Sequence, residues 1–348
     1  SPIMTSLRPN IVKRIERLPK PKNVTAAMQP LFEAISNAIH SVQNRFGETV
    51  SKQGQIHVTV NTNRNKDKVW ATVEDNGFGL DEKNWDAFTE TDTDNKISIG
   101  GKGVGRLLWL DCFQKISVVS TFKSKDGMET RSFDFMLKRN DQIQNEKIEA
   151  VGSTQSPSFF VRFDGLRDNG YLSNFPGRDS FVFQHLTSHF LPTFIGKKCP
   201  QISVYVGDET RHYPAEIDNI VHRKQADIQL ETEEYGLLLL TLMECDKVAS
   251  ADLKGHHFVH FIAHDRTVQS QSIDGKLGLK YFGSDNDRVF HAILTGEYLD
   301  TNVNQERTAF MFEDVVLDRI INDVCSSYIE EFLKEPLEKL GGEQREKI

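Results

Sequence analysis

Three short patterns in this chain set acidic, amide and glycine residues at spacings suited to phosphate chemistry. In LFEAISNAIHSV, Glu33 and Asn37 stand four apart, which on a helix places them one turn apart on the same face. A carboxylate beside a neutral amide oxygen suits attack by water on a phosphoanhydride. Glu33 would orient and deprotonate the water, and Asn37 would ligate a Mg2+ that bridges the phosphates. In VEDNGFGL, Asp75 and Asn76 close a strand pattern, and Gly77 and Gly79 permit positive φ and close approach to a planar ligand. A buried Asp75 can accept a hydrogen bond from an exocyclic amine such as that of adenine. In IGGKGVGRLLWL, Gly101, Gly103 and Gly105, with Val104 among them, open an apolar helical run. Backbone amides and a helix N-terminus then face an anion, and Lys102 adds a point charge. This glycine turn is neither a Walker A loop nor a dinucleotide fingerprint. Taken singly, each pattern is also what a polar helix face, an Asp-Asn-Gly turn or a plain loop looks like.

The elements that must position these residues can be read from periodicity. Asn23 or Thr25 caps a helix reaching about Phe46, with Phe32, Ile35, Ile39, Val42 and Phe46 as its buried stripe. Alternating residues over Gln55–Asn61 and Val69–Glu74 predict a hairpin. Residues 81–102 are polar and aperiodic, the length of a functional lid. A helix from Val104 to Phe113 follows, then strands at Lys115–Phe122, Thr130–Leu137 and Phe159–Phe163. Turn formers over 165–180 mark a boundary. Beyond it the pattern predicts a helix over Phe181–Phe194, strands at Gln201–Val206, Gly236–Glu244 and Phe258–His264, and a last helix over Glu313–Leu333. Residues 336–348 are expected to fray.

The three patterns, in this order and spacing, resemble the N, G1 and G2 boxes of the GHKL ATPases. That superfamily includes gyrase, the ninety-kilodalton heat-shock chaperone, histidine kinases, MutL and the MORC proteins. The resemblance covers about residues 25–165. It implies an α+β chain that begins with a Bergerat-type α/β sandwich, helices on one face of a mixed, mostly antiparallel sheet, over residues 1–165, with a lid at 81–102. It also implies ATP and Mg2+ as ligands. Glu33 would be the general base and Asn37 the metal ligand. Asp75, with Asn76, Gly77 and Gly79, would read adenine, while Gly101, Gly103, Val104 and Gly105 would hold the triphosphate and Lys102 would neutralise charge. The family often has a later Gly-Thr element. Gly152-Ser153-Thr154 stands near that place and offers Thr154 as the contact, although an extra Gln-Ser-Pro-Ser before Phe159 departs from the family pattern.

The second half resembles the transducer domain of the chaperone-, gyrase-, MutL- and MORC-like branches, placed at 181–335. FVHFIAHDRTV looks like its strand–turn–strand, and LDTNVNQERTAF resembles the chaperone loop in which Arg follows Asn by three. Asn304 and Arg307 fit, so Arg307 would reach the γ-phosphate, with Lys276 and Lys280 as rival cations. This loop leans toward the chaperone- or MORC-like branch. No N-terminal helical hairpin with a phosphoacceptor histidine is present, which disfavours a histidine kinase. His256, His260 and His264 share strand parity but span ~26 Å at ~3.3 Å per residue, too far for one ion, and are read as solvent-facing.

With 348 residues, 38% apolar and 26% charged, the chain is sized for two soluble domains. The net charge of −8 works against constitutive nucleic-acid binding without excluding a local basic groove. Four scattered cysteines, no apolar run of membrane-spanning length and no signal-peptide pattern point to the cytoplasm. The expected function is slow, Mg2+-dependent ATP hydrolysis driving lid closure and homodimerisation, a switch for a protein partner or client. The alternative is an ATP sensor with no significant hydrolysis.

Overall fold

Apolar residues at alternate positions build the first sheet. Ile56, Val58 and Val60 of β1 (Gln55–Asn61) and Ala71 and Val73 of β2 (Trp70–Asp75) are buried, and the residues between them are not. Such alternation lets one face of a sheet take a covering layer while the other meets water. The structure, a computed structural model, describes residues 10–89 and 104–346. The chain divides into two units: Ser1–Phe183 with Lys197–Pro214, and Gln184–Gly196 with Ala215–Ile348.

In the first unit, α1 (Ile11–Glu16) and α2 (Val24–Phe46) precede β1 and β2. Next come α3 (Glu82–Thr89), α4 (Val104–Cys112), β3 (Phe113–Ser124), β4 (Gly127–Phe135), β5 (Ile143–Ala150) and β6 (Ser158–Leu166). The helix α5 (Asp179–His189) leads out of this unit, and β7 (Gln201–Val206) and β8 (Glu209–Tyr213) lie within it. The eight-stranded sheet runs β5-β4-β3-β6-β2-β1-β7-β8. All neighbours are antiparallel except β1 and β7, which pair in parallel with Ile56 opposite Ile202 and Val58 opposite Val204. α2 packs on β1 and β2, and α4 packs on α2. Leu31, Phe32, Ile35, Trp109 and Leu110 from these helices are buried. The α+β sandwich expected from sequence is therefore the fold observed.

Several details differ from the sequence reading. The strand Gln201–Val206, expected beyond the boundary, extends the first sheet because its backbone finds a free edge on β1. Glu82–Thr89 is helical where irregular chain was expected. Asp81 caps it through Asn84 N–H at 3.0 Å, and Trp85 and Phe88 pack edge-on to Phe133 at 5.4 and 5.6 Å. Two aromatics one turn apart are too short a signal to register as a period. β5 has mostly exposed residues and carries no alternation, so only its pairing with β4 identifies it.

The second unit is a five-stranded sheet in the order β12-β11-β13-β10-β9. Its strands are β9 (Val221–Thr232), β10 (Gly236–Asp246), β11 (Phe258–Ala263), β12 (Arg266–Ser272) and β13 (Arg288–Gly296). β11 is buried along its whole length and pairs in parallel with β13. One face carries Leu238, Leu240, Val259, Phe261, Phe290 and Leu294 against Leu317, Ile321, Ile329 and Phe332. Those last residues come from α6 (Val315–Arg319), a π-helical turn at Ile320–Cys325 and α7 (Ser326–Phe332), so the final helix is interrupted rather than continuous. The expected frayed tail is instead α8 (Lys334–Glu346), whose Leu337 and Leu340 pack on this core. The helix expected over Phe181–Phe194 stops at His189 and restarts at Leu191–Ile195 around Pro192. The four cysteines are free and buried. No helix of the described residues is long and apolar enough to cross a membrane.

Candidate functional site

One helix supplies most of the site. α2 starts at Asn23, whose side chain accepts Ala26 N–H at 2.8 Å, and buries Ala27, Met28, Leu31, Ile35, Ala38 and Val42. Its polar residues recur every fourth position as Gln29, Glu33, Asn37, Ser41 and Arg45. Because i and i+4 lie one above the other, they form a slowly winding ridge. Gln29 Nε2 donates to Glu33 Oε1 at 2.9 Å. Asn37 is exposed.

Glu33 is half-buried and meets the first turn of α4. A β-carbon on Gly105 would lie 3.1 Å from Glu33 Oε2 and 3.2 Å from Glu33 Cβ, so only glycine brings the two backbones this close without a shift. Trp109, one turn further along α4, donates from Nε1 to Pro30 O at 3.1 Å. Arg106 donates to Ala87 O at 3.1 Å and lies 5.0 Å from the ring centre of Phe88.

Asp75 ends β2 with 3% of its surface exposed. Its Oδ1 accepts Gly77 N–H at 2.8 Å. Burial pushes the carboxyl up to about 7, against the pull of the Gly77 amide and the Ser41 hydroxyl, and Glu74 adds repulsion. Any β-carbon on Gly77 would collide with Ser41 Oγ. Gly79 has φ +71°, and a β-carbon there would strike Thr121 O and lie 2.8 Å from Ser120 Oγ. Ser120, itself buried, accepts Leu80 N–H at 2.8 Å and donates to Ser158 O at 2.7 Å, pinning this turn to β3 and β6.

Asn76 departs from expectation. Its amide oxygen accepts Gln55 N–H at 2.8 Å and its amide nitrogen donates to Gln53 O at 2.9 Å, so the side chain clamps the entrance to β1. Arg45 donates to Asn76 O at 2.6 Å from the other side. Ser41 and Arg45 escaped the sequence reading. The signal was the continuation of the Glu33–Asn37 spacing by one and two more turns. Thr154 is exposed in the turn before β6, and its hydroxyl makes no hydrogen bond among the described residues. Gly101, Lys102 and Gly103 lie outside the described residues. Val104 opens α4.

In the second unit Arg307 sits in the left-handed region at φ +60°, in a turn closed by its own N–H to Asn304 O at 3.0 Å. Asn304 Oδ1 braces the turn by accepting Thr308 N–H at 2.8 Å. Burial and the charge of Arg307 push the Arg266 guanidinium below its ordinary range. Lys276 pairs with Asp318 at 3.3 Å. The turn between β11 and β12 is His264-Asp265, both at positive φ, as a two-residue hairpin turn of mirror type requires.

Of the three histidines expected to face solvent, His264 does so and His256 is half-buried, but His260, within β11, is buried. His260 is 1% exposed and stacks on His291 with 5.0 Å between ring centres. Ser250 Oγ donates to His256 O at 2.6 Å, which leaves it to accept from His291 Nε2 at 2.8 Å. His291 Nδ1 then accepts from His260 Nε2 at 2.7 Å, and His260 Nδ1 accepts from Ser270 Oγ at 2.6 Å. Every nitrogen of the pair is used. Burial keeps both neutral, with His260 pushed down to about 3. Among the described residues no cluster of three or more His, Cys, Asp or Glu is arranged to hold a metal.

Asp75 keeps acceptor capacity beyond its two partners, and Glu33 faces the first turn of α4. Residues 23–140 match the family described as histidine kinase-, DNA gyrase B-, and HSP90-like ATPase. No curated protein matches the chain. A crystal structure of the N-terminal domain of a DNA repair protein superposes with a TM-score of 0.54 at 12% identity, covering 94% of this chain and 98% of that chain. At that identity the likeness is one of fold. Over residues 23–140, then, the chain carries a domain of the histidine kinase-, DNA gyrase B- and HSP90-like ATPase family.

Proposed function

We propose that the first unit binds ATP with Mg2+ and hydrolyses it slowly. The observation that carries this reading is that a single helix touches both ends of the site. Ser41 contacts Asp75 and Gly77, while Glu33, two turns earlier, meets Gly105 at the head of α4. Asp75 accepts two hydrogen bonds, and a carboxylate offers about four acceptor positions, so capacity remains for an exocyclic amine. Glycine at 77 lets Ser41 sit beside Asp75, and glycine at 79 seats the turn on β3 and β6.

Asn37, exposed beside Glu33 on the same ridge, presents a neutral oxygen fit for a hard cation. Magnesium held there would neutralise charge on the phosphates. The Glu33 carboxylate takes a proton from water as the new P–O bond forms. The bridging P–O bond to the γ-phosphorus breaks, and ADP leaves with the electron pair. Gly101, Lys102, Gly103, Val104 and Gly105 are assigned to the phosphates, Thr154 to a secondary contact, and Arg307 to charge neutralisation. Lid closure, ATP-dependent homodimerisation and relay to a protein partner complete the proposal, in a cytoplasmic setting.

Phosphate release by the wild type and by Glu33→Gln, with ATP affinity measured by calorimetry, tests this. We expect the substitution to cost about 10²-fold or more in rate, the usual worth of a general base, while ATP still binds. Equal rates remove Glu33 as the base. Tight binding with no phosphate released by the wild type in a single-turnover experiment favours the sensor instead.

A further inference from the structure

The Gln29–Glu33 contact assigns a task to a side chain that none of the three motifs contains. Gln29 lies one turn before Glu33 on α2 and donates its amide to Glu33 Oε1 at 2.9 Å. Long helical side chains lean back toward the N-terminus, so a carboxylate at position 33 naturally reaches over position 29. The other oxygen, Oε2, lies against Gly105 in the first turn of α4. The two oxygens of one carboxylate thus sit in different surroundings, one on an amide and one at the head of a helix.

The turn that bears Gln29 is itself held. Pro30 follows it and is buried, with φ locked by its ring. The Pro30 carbonyl accepts the indole N–H of Trp109, whose ring meets Phe163 at 5.2 Å. A turn fixed in this way holds the Gln29 backbone one turn before Glu33, and the hydrogen bond to Glu33 Oε1 places the amide. A neutral amide suits the task. It stabilises the ionised carboxylate by hydrogen bonding, cannot take a proton from water itself, and brings no charge to compete with magnesium.

We propose that Gln29 is the positioning residue of the general base, holding Glu33 ionised and turned toward the head of α4. This rests on the reading of Glu33 as the base. Gln29 exchanges no proton: the water's proton goes to the Glu33 carboxylate, and the amide only fixes the acceptor's orientation and ionisation.

The test compares Gln29→Met, which keeps length but loses the donor, with Gln29→Glu and Glu33→Gln. Each full-length variant is assayed for kcat across pH, for ATP affinity by calorimetry and for its thermal midpoint. For Gln29→Met we expect ATP affinity within about twofold of wild type and kcat reduced about tenfold, part of the 10²–10⁴-fold that a general base contributes. The acid limb of its kcat profile should move to higher pH, because the carboxylate has lost a hydrogen bond that favours its charge. Gln29→Glu, which sets two carboxylates together, should move the limb further in the same direction. If Gln29→Met folds and keeps both the wild-type kcat and the wild-type acid limb while Glu33→Gln loses activity, the positioning role is refuted and the base stands. If Glu33→Gln keeps the wild-type rate, the base reading fails and this inference fails with it. A Gln29→Met protein that does not fold leaves Gln29→Glu to decide, since an unmoved acid limb there also overturns the proposal.

Discussion

Each unit buries titratable groups beside the middle of a sheet, and the two treat them in opposite ways. In the first, Asp75 is 3% exposed and accepts from Gly77 N–H and Ser41, short of what a carboxylate can take. In the second, His260 and His291 use every ring nitrogen in a chain from Ser270 to the His256 carbonyl. A buried polar group with unspent hydrogen-bonding capacity costs stability and invites a ligand, whereas a satisfied one specifies packing. Gly77 leaves room beside Asp75 for Ser41, and Gly79 lets the following turn seat on β3 and β6.

The contrast is broken most forcefully at its functional end. Asp75→Asn swaps a pure acceptor for a side chain that also carries donors, so ATP affinity should fall about 100-fold, near 2.7 kcal/mol. Calorimetry with a melting curve reads the loss of binding in a protein that still folds. Retained affinity would remove Asp75 as the ring's partner.

The structural end should respond in stability alone. His291→Leu strips partners from His260 and Ser250, leaving buried groups unpaired at a cost of about 2–3 kcal/mol. Hydrogen exchange should report weaker protection in β11 and β13, with ATP affinity within about twofold of wild type.

Acid and base sharpen the difference because the two linkages have opposite signs. Asp75 is raised to about 7 in the folded chain against 3.8 unfolded, so the folded state holds the extra proton between those values. Its contribution to stability is complete below about 3.8 and is lost as pH rises toward 7. His260 is lowered to about 3 from 6.5, so its contribution is present above 6.5 and is lost as pH falls through that window. Amide exchange followed from pH 5 to 8 should show β2 loosening toward the alkaline end and β11 toward the acidic end. ATP affinity should rise through pH 7, since the amine needs the carboxylate form.

The smallest effect belongs to Ser41. Removing its hydroxyl with Ser41→Ala withdraws a hydrogen bond from the Asp75 carboxylate. It should weaken ATP binding by about threefold and move its pH midpoint upward by a few tenths of a unit, at a cost of about 0.5–1.5 kcal/mol. A calorimetric pH series that superposes on wild type would show that Ser41 only fills space.

Local repetition along the chain was enough to determine the capped α2 with its buried stripe as far as Val42, though not the half-buried Phe46, the hairpin of β1 and β2, the glycines at 77, 79 and 105, and the fourfold spacing that leads from Glu33 to Asn37. These are consequences of helix and strand geometry, which act over a few residues. What only the tertiary structure decided are meetings between distant residues. β7 comes back to pair with β1, Ser41 presses on Gly77, Asn76 spends its amide on Gln53 and Gln55, and His260 finds His291. Polar β5 becomes a strand only because β4 offers it an edge. The physical reason is that burial and cross-strand hydrogen bonding depend on which surfaces the folded chain brings together, and no local period encodes that.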